Sequence, residues 1–194
     1  MSGVVAVLSP AQQVQVIDER IKPRLREIKL CEKVSQLMFD EYCGDGVKSF
    51  SNASLKLSGK ELYAGEHSRE LTDPILDSGI AMIRVMVQLL GISVDKNGNF
   101  YAYDPKDGDI VMSSFHLTRL PLHTKASDYL STKEIEALKL SVLNGNKGVA
   151  HLTIHETKSI PLDQLSLACR VVTRLVEEHL LTPISNRETE STVS

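Results

Sequence analysis

At 194 residues the chain is long enough for one hydrophobic core, and 42% hydrophobic with 24% charged residues is an ordinary globular balance that excludes disorder of its body. A net charge of −3 gives no electrostatic reason to expect binding to duplex nucleic acid or to an anionic membrane. Cys31, Cys43 and Cys169 are odd in number and widely spaced, which argues against a disulfide framework and a structural zinc site.

The apolar runs are too short to cross a bilayer, and residues 1–8 lack the charged start and long apolar region of a secretory leader, so a cytoplasmic setting with reduced thiols is expected. Ser9-Pro10 reads as a helix start, because serine caps free amides and proline suits the first helical position. Val14, Ile17, Ile21, Leu25, Ile28, Cys31, Val34, Leu37 and Met38 carry helical spacing over residues 10–42. Pro23 interrupts that spacing and predicts a kink at Lys22 or two helices forming a hairpin, with Cys43-Gly44-Asp45-Gly46 closing the unit. Residues 47–71 are polar, and the alternation in Ser54-Leu55-Lys56-Leu57 and Leu62-Tyr63 suits one or two short strands.

Thr72-Asp73-Pro74 opens an apolar helix that stops at Gly91 and reads as the buried core helix. Three strands are predicted next, over 92–94, 100–103 and 110–118, joined at Asn97-Gly98 and Asp107-Gly108. Ser131-Thr132-Lys133-Glu134 is a capping box for a helix ending at Leu143, which Asn144-Gly145-Asn146-Lys147-Gly148 closes. A strand over 149–156 and a helix from Pro161 to about Leu181 follow, and the Ser-, Thr- and Glu-rich tail at 183–194 reads as disordered. The expected fold is α+β, a single domain over 1–182: an N-terminal helical hairpin at 10–43 that could be a unit of its own, the core helix, and an antiparallel sheet of four or five strands with helices on one face.

His-Leu-Thr occurs twice, as His116-Leu117-Thr118 and His151-Leu152-Thr153. On strands, His and Thr two positions apart share a face, so each copy pairs a proton carrier with a hydroxyl. The pair resembles the motifs of the two-histidine phosphoesterases. That resemblance implies His116 and His151 as acid and base, without a metal, on cyclic or 2′,5′-linked nucleotides, with Thr118 and Thr153 holding phosphate. Four residues separate Lys147 from His151. On a helix that extended past Gly145 they would share a face, which resembles the Arg-and-His motif of HEPN ribonucleases with Lys147 in the place of the Arg, and implies phosphate steadying by Lys147, without the planar bidentate donors of Arg, and proton handling by His151.

Metal chemistry is not indicated. His151 and His155 on a strand would stand about 13 Å apart, and Asp104, Asp107 and Asp109 fit a hairpin turn better than a calcium loop. No glycine loop has the Gly-Lys-Ser/Thr of a phosphate-binding loop, and no cofactor is implied. With no strong catalytic constellation, the first functional expectation is an interaction or assembly protein, oligomeric through its mixed-charge N-terminal helices. The paired-histidine phosphodiesterase and the HEPN-like ribonuclease are the enzymatic alternatives, each with a nucleotide ligand.

Overall fold

The structure is a computed structural model that describes residues 5–43, 53–65, 69–147 and 160–192. Ser9 begins α1 (Pro10–Val16) with a reciprocal cap: its hydroxyl accepts the Gln12 amide while the Gln12 side chain accepts the Ser9 amide. A π-helical turn (Ile17–Ile21) carries α1 without interruption into α2 (Lys22–Cys43). Ile17, Ile21, Leu25, Ile28, Cys31 and Met38 bury one stripe of this rod.

The expected N-terminal hairpin is therefore one long helix built into the core, and residues 10–43 are not a separate unit. The reason lies at Pro23. Proline has no amide hydrogen, and its ring would press on the carbonyl four residues back. The wide π turn, in which the Lys22 amide reaches the Ile17 carbonyl, absorbs both problems without breaking the helix.

A short antiparallel hairpin follows, β1 (Ala53–Leu57) and β2 (Lys60–Gly65). It turns through Ser58 and Gly59, both at positive φ, as a two-residue turn requires. α3 (Arg69–Leu89) starts three residues ahead of Thr72 and carries Pro74 within it. A second hairpin, β3 (Ile92–Val94) and β4 (Phe100–Ala102), closes at Asn97-Gly98, where the Asp95 carboxylate accepts the amides of Asn97 and Asn99.

The third strand expected at 110–118 is absent. Met112–Phe115 form a 3-10 turn, and Ser114 supplies the cause: its hydroxyl accepts the Val111 amide and its own amide bonds the Val111 carbonyl, so local bonds displace a ladder. After α4 (Leu122–Lys125) and a 3-10 turn (Ala126–Asp128), α5 (Thr132–Lys147) opens on the Ser131–Glu134 capping box. The strand expected at 149–156 lies outside the described residues.

α6 (Leu162–Val176) passes through a second π turn (Glu177–Leu181) into α7 (Thr182–Thr192). The tail expected to be disordered from 183 is thus helical to Thr192. Ile184 is buried in the core, and Arg187 donates to the carbonyls of Phe115 and His116.

The class is α+β, but helices hold 69% of the described residues, and β3 is the strand buried among them through Ile92 and Val94. Instead of one sheet of four or five strands there are two separate two-stranded hairpins among the described residues. The core is helix on helix: α2 packs on α3 and α6, and α5 closes the ring against both. α6 is buried at nine positions and α3 at six, so α6 is the most enclosed rod, although α3 had read as the central one. Each Leu, Ile or Val taken from water into this core contributes about 1.5–3 kcal/mol. No helix among the described residues is long and apolar enough to cross a membrane.

Candidate functional site

His116 does not stand on a strand face. It is exposed, in the left-handed region at φ 57°, and ends the 3-10 turn that Met112 and Phe115 anchor in the core. Its carbonyl and that of Phe115 accept the Arg187 guanidinium at 3.3 and 3.1 Å, which ties the turn to α7. Thr118 lines a shallow hollow of about 280 Å³ with Ser113, Arg119 and Tyr103. His151 and Thr153 lie outside the described residues.

The third sequence-derived site, around Lys147, meets a clearer outcome. α5 does not stop at Leu143; it runs through Gly145 to Lys147. Gly145 is helical because the rods are close: a Cβ there would stand 3.2 Å from the Ile80 carbonyl and 3.3 Å from Arg84 Cβ. Its missing side chain lets the last turn of α5 rest on α3, which outweighs the poor helix propensity of glycine, about 1 kcal/mol. Arg84 thereby lies against that turn, with its Nε buried and without a hydrogen-bond partner.

Sequence reading missed a cavity of about 190 Å³ between the first π turn, α3 and the loop after β4. Its polar side carries Arg20, Arg24, Gln88, Tyr103 and Asp109; Ile21, Val85, Met86 and Leu89 are among its apolar walls. Arg24 donates through Nη1 to the Arg20 carbonyl at 2.7 Å, while its Nε is buried and finds no partner. Tyr103 donates its phenolic hydrogen to Asp109 at 2.7 Å, and the Lys106 amide donates to the same carboxylate oxygen. The Tyr103 hydrogen bond, then the Lys106 amide, hold Asp109 below the usual carboxylate range. Burial first, and then the bond to Asp109, push Tyr103 up to about 12, so the phenol is neutral at physiological pH.

The signal for this pocket was present but scattered. Arg20 and Arg24 are one turn apart beside Pro23 and read only as part of a mixed-charge face. Tyr103 and Asp109 read only as the ends of a hairpin. Asp104 and Asp107, grouped with Asp109 in the sequence, are exposed and half a loop apart from its bonds.

Cys31 on α2 and Cys169 on α6 are free and buried. Their mutual hydrogen bond holds the Cys31 thiol below its ordinary range and, with burial, pushes Cys169 far above it. Comparison with family models, with curated proteins and with solved structures finds no match for this chain.

Proposed function

We propose that the chain is a ribonuclease of the HEPN type that uses Lys147 and His151. The observation that supports this reading is the continuation of α5 through Gly145 to Lys147; His151 follows four residues later in the sequence. At the first His-Leu-Thr copy, His116 ends a 3-10 turn, so the reading is built on the Lys147 end of α5 instead.

The chemistry follows from RNA itself. A neutral imidazole at His151 takes the proton of the 2′-hydroxyl, the 2′-oxygen attacks the adjacent phosphorus, and the bond to the 5′-oxygen breaks, with that oxygen taking a proton from water. A cation at Lys147 offsets the charge gathering on the non-bridging oxygens. The products are a 2′,3′-cyclic phosphate and a 5′-hydroxyl, and DNA, without the nucleophile, is not cut.

The test is cleavage of a single-stranded RNA oligonucleotide in EDTA, with the new ends identified by mass spectrometry. His151→Ala and Lys147→Ala are expected to lose activity about 100-fold or more. Equal turnover in wild type and His151→Ala would reject the role. Loss in His116→Ala would instead restore the paired-histidine reading.

A second reading, self-association, is favoured by the outer face of α2. Leu30, Val34 and Leu37 form one stripe there, with Leu30 48% and Leu37 56% exposed. A second copy of α2 would cover it. Light scattering on wild type and Leu30→Glu/Leu37→Glu decides: a wild-type monomer removes this reading.

A further inference from the structure

We infer that the cavity at the first π turn is a binding site for a small organic acid with a compact ring or branched apolar body. The helix here is shaped for more than continuity. The π turn forced ahead of Pro23 spreads Val16, Arg20, Ile21 and Arg24 around one opening, and widened turns of this kind recur at functional sites. Across from them Val85, Met86 and Leu89 of α3 supply an apolar wall.

Polarity inside the cavity fixes the head group. Arg24 Nε is buried without a partner, and a buried donor left unpaired is costly. Arg20 adds a second guanidinium from one turn away. The one carboxylate among the described residues of the wall, Asp109, is already committed to the Tyr103 hydroxyl and the Lys106 amide. The unmet capacity is therefore for an acceptor, and a guanidinium pairs best with a planar carboxylate.

Volume fixes the body. A cavity of about 150 Å³ suffices to hold benzene, and this one, at about 190 Å³, has room for such a ring and a one-carbon acid. A bare inorganic anion would leave the apolar walls unfilled. Lys147 is not among the described residues that line the pocket, and benzoate binding is read out without RNA cleavage.

Benzoate is the probe, measured by isothermal titration calorimetry and by the shift in melting temperature, with benzyl alcohol, benzamidine and inorganic phosphate as comparisons. Benzoate is expected to bind with a Kd below about 1 mM, at least tenfold tighter than each of the other three. Arg24→Gln is expected to weaken it tenfold or more, and Val85→Phe, which fills the cavity mouth, to abolish it. Because Arg24 also holds the Arg20 carbonyl, Arg20→Gln is the second variant, and far-UV circular dichroism checks that each is folded. No binding of benzoate up to about 10 mM, equal binding of benzyl alcohol or of phosphate, or unchanged affinity in both arginine variants would overturn the assignment.

Discussion

Gly79 is where the helix ring is tightest, and replacing it with alanine should be among the most damaging single-methyl changes in the chain. It faces α2 from the middle of α3, and a Cβ at this position would fall inside 3.0 Å of both Cβ and Sγ of Cys31, which is fully buried. The Sγ could swing away by a rotamer change. Cys31 Cβ cannot, because it is fixed to the α2 backbone, so α2 and α3 must move apart along a contact that includes Ile28 and Ile83.

Overpacking of this kind costs about 1–3 kcal/mol, and a clash between two backbone-fixed atoms belongs at the top of that range. Alanine returns about 1 kcal/mol of helix propensity, which leaves a net loss of about 2 kcal/mol. For a chain of this size that corresponds to a fall in Tm of about 4–8 °C. Urea titration followed by circular dichroism at 222 nm measures it, with an unchanged m-value showing that the native state is otherwise kept. Gly79→Ala/Cys31→Ala is the control, since it removes Sγ but leaves the Cβ contact, and most of the loss should persist. Wild-type stability in Gly79→Ala, or complete rescue in the double variant, would refute the reasoning.

Gly145→Ala provides a contrast: the added methyl is tight against Ile80 and Arg84 by only a few tenths of an ångström, so the clash and the propensity gain nearly cancel, and stability by the same titration should move by less than about 1 kcal/mol. His116→Gly should stabilise the fold by up to about 1 kcal/mol, because a non-glycine residue is held there at positive φ while its carbonyl, which Arg187 uses, is retained; a loss of stability would mean that the imidazole itself makes a needed contact. Tyr103 titrates above its unfolded value, so the stability it lends is complete below pH 10.0 and is lost as pH rises through about 12. Ultraviolet titration should show one of the five tyrosines ionising last, and Tyr103→Phe should flatten the alkaline limb of the stability curve.

Local chemistry was legible wherever a few neighbouring residues decide the outcome. Ser9-Pro10 and Ser131–Glu134 each announced a helix start, and the reciprocal bonds are present at both. Asn97-Gly98 announced its hairpin for the same reason. Long-range choices were not legible. Met112 and Phe115 are three apart and both buried, but β-branched and aromatic content around them reads equally well as a strand until the Ser114 bonds decide. Gly145 looks like a helix stop because sequence shows its weak propensity and not the α3 backbone that requires it. The cavity arginines were hidden likewise, since only the folded turn separates them from an ordinary solvated face.

The two prolines show what a pattern reading leaves out. Pro23 and Pro183 each follow a five-residue π turn by one intervening residue, Lys22 or Thr182, whose amide reaches back to the first residue of that turn. At the second site the Thr182 hydroxyl also donates to the Glu177 carbonyl at 2.8 Å. Pro23 read as a breaker yields a hairpin at one end of the chain, and the polar composition after Pro183 yields a loose tail at the other. Held by a wide turn, each instead continues its helix, and the buried stripe survives beyond it: Leu25 and Ile28 after Pro23, Ile184 after Pro183. The consequence differs between the two. At Glu177–Leu181 the turn carries Leu180 into the core and delivers Arg187 to the His116 turn, whereas at Ile17–Ile21 it opens a lined cavity. Around the first turn Tyr103 and Asp109 complete the lining from the loop after β4, so what packs against a π turn, together with the proline, decides what that turn builds.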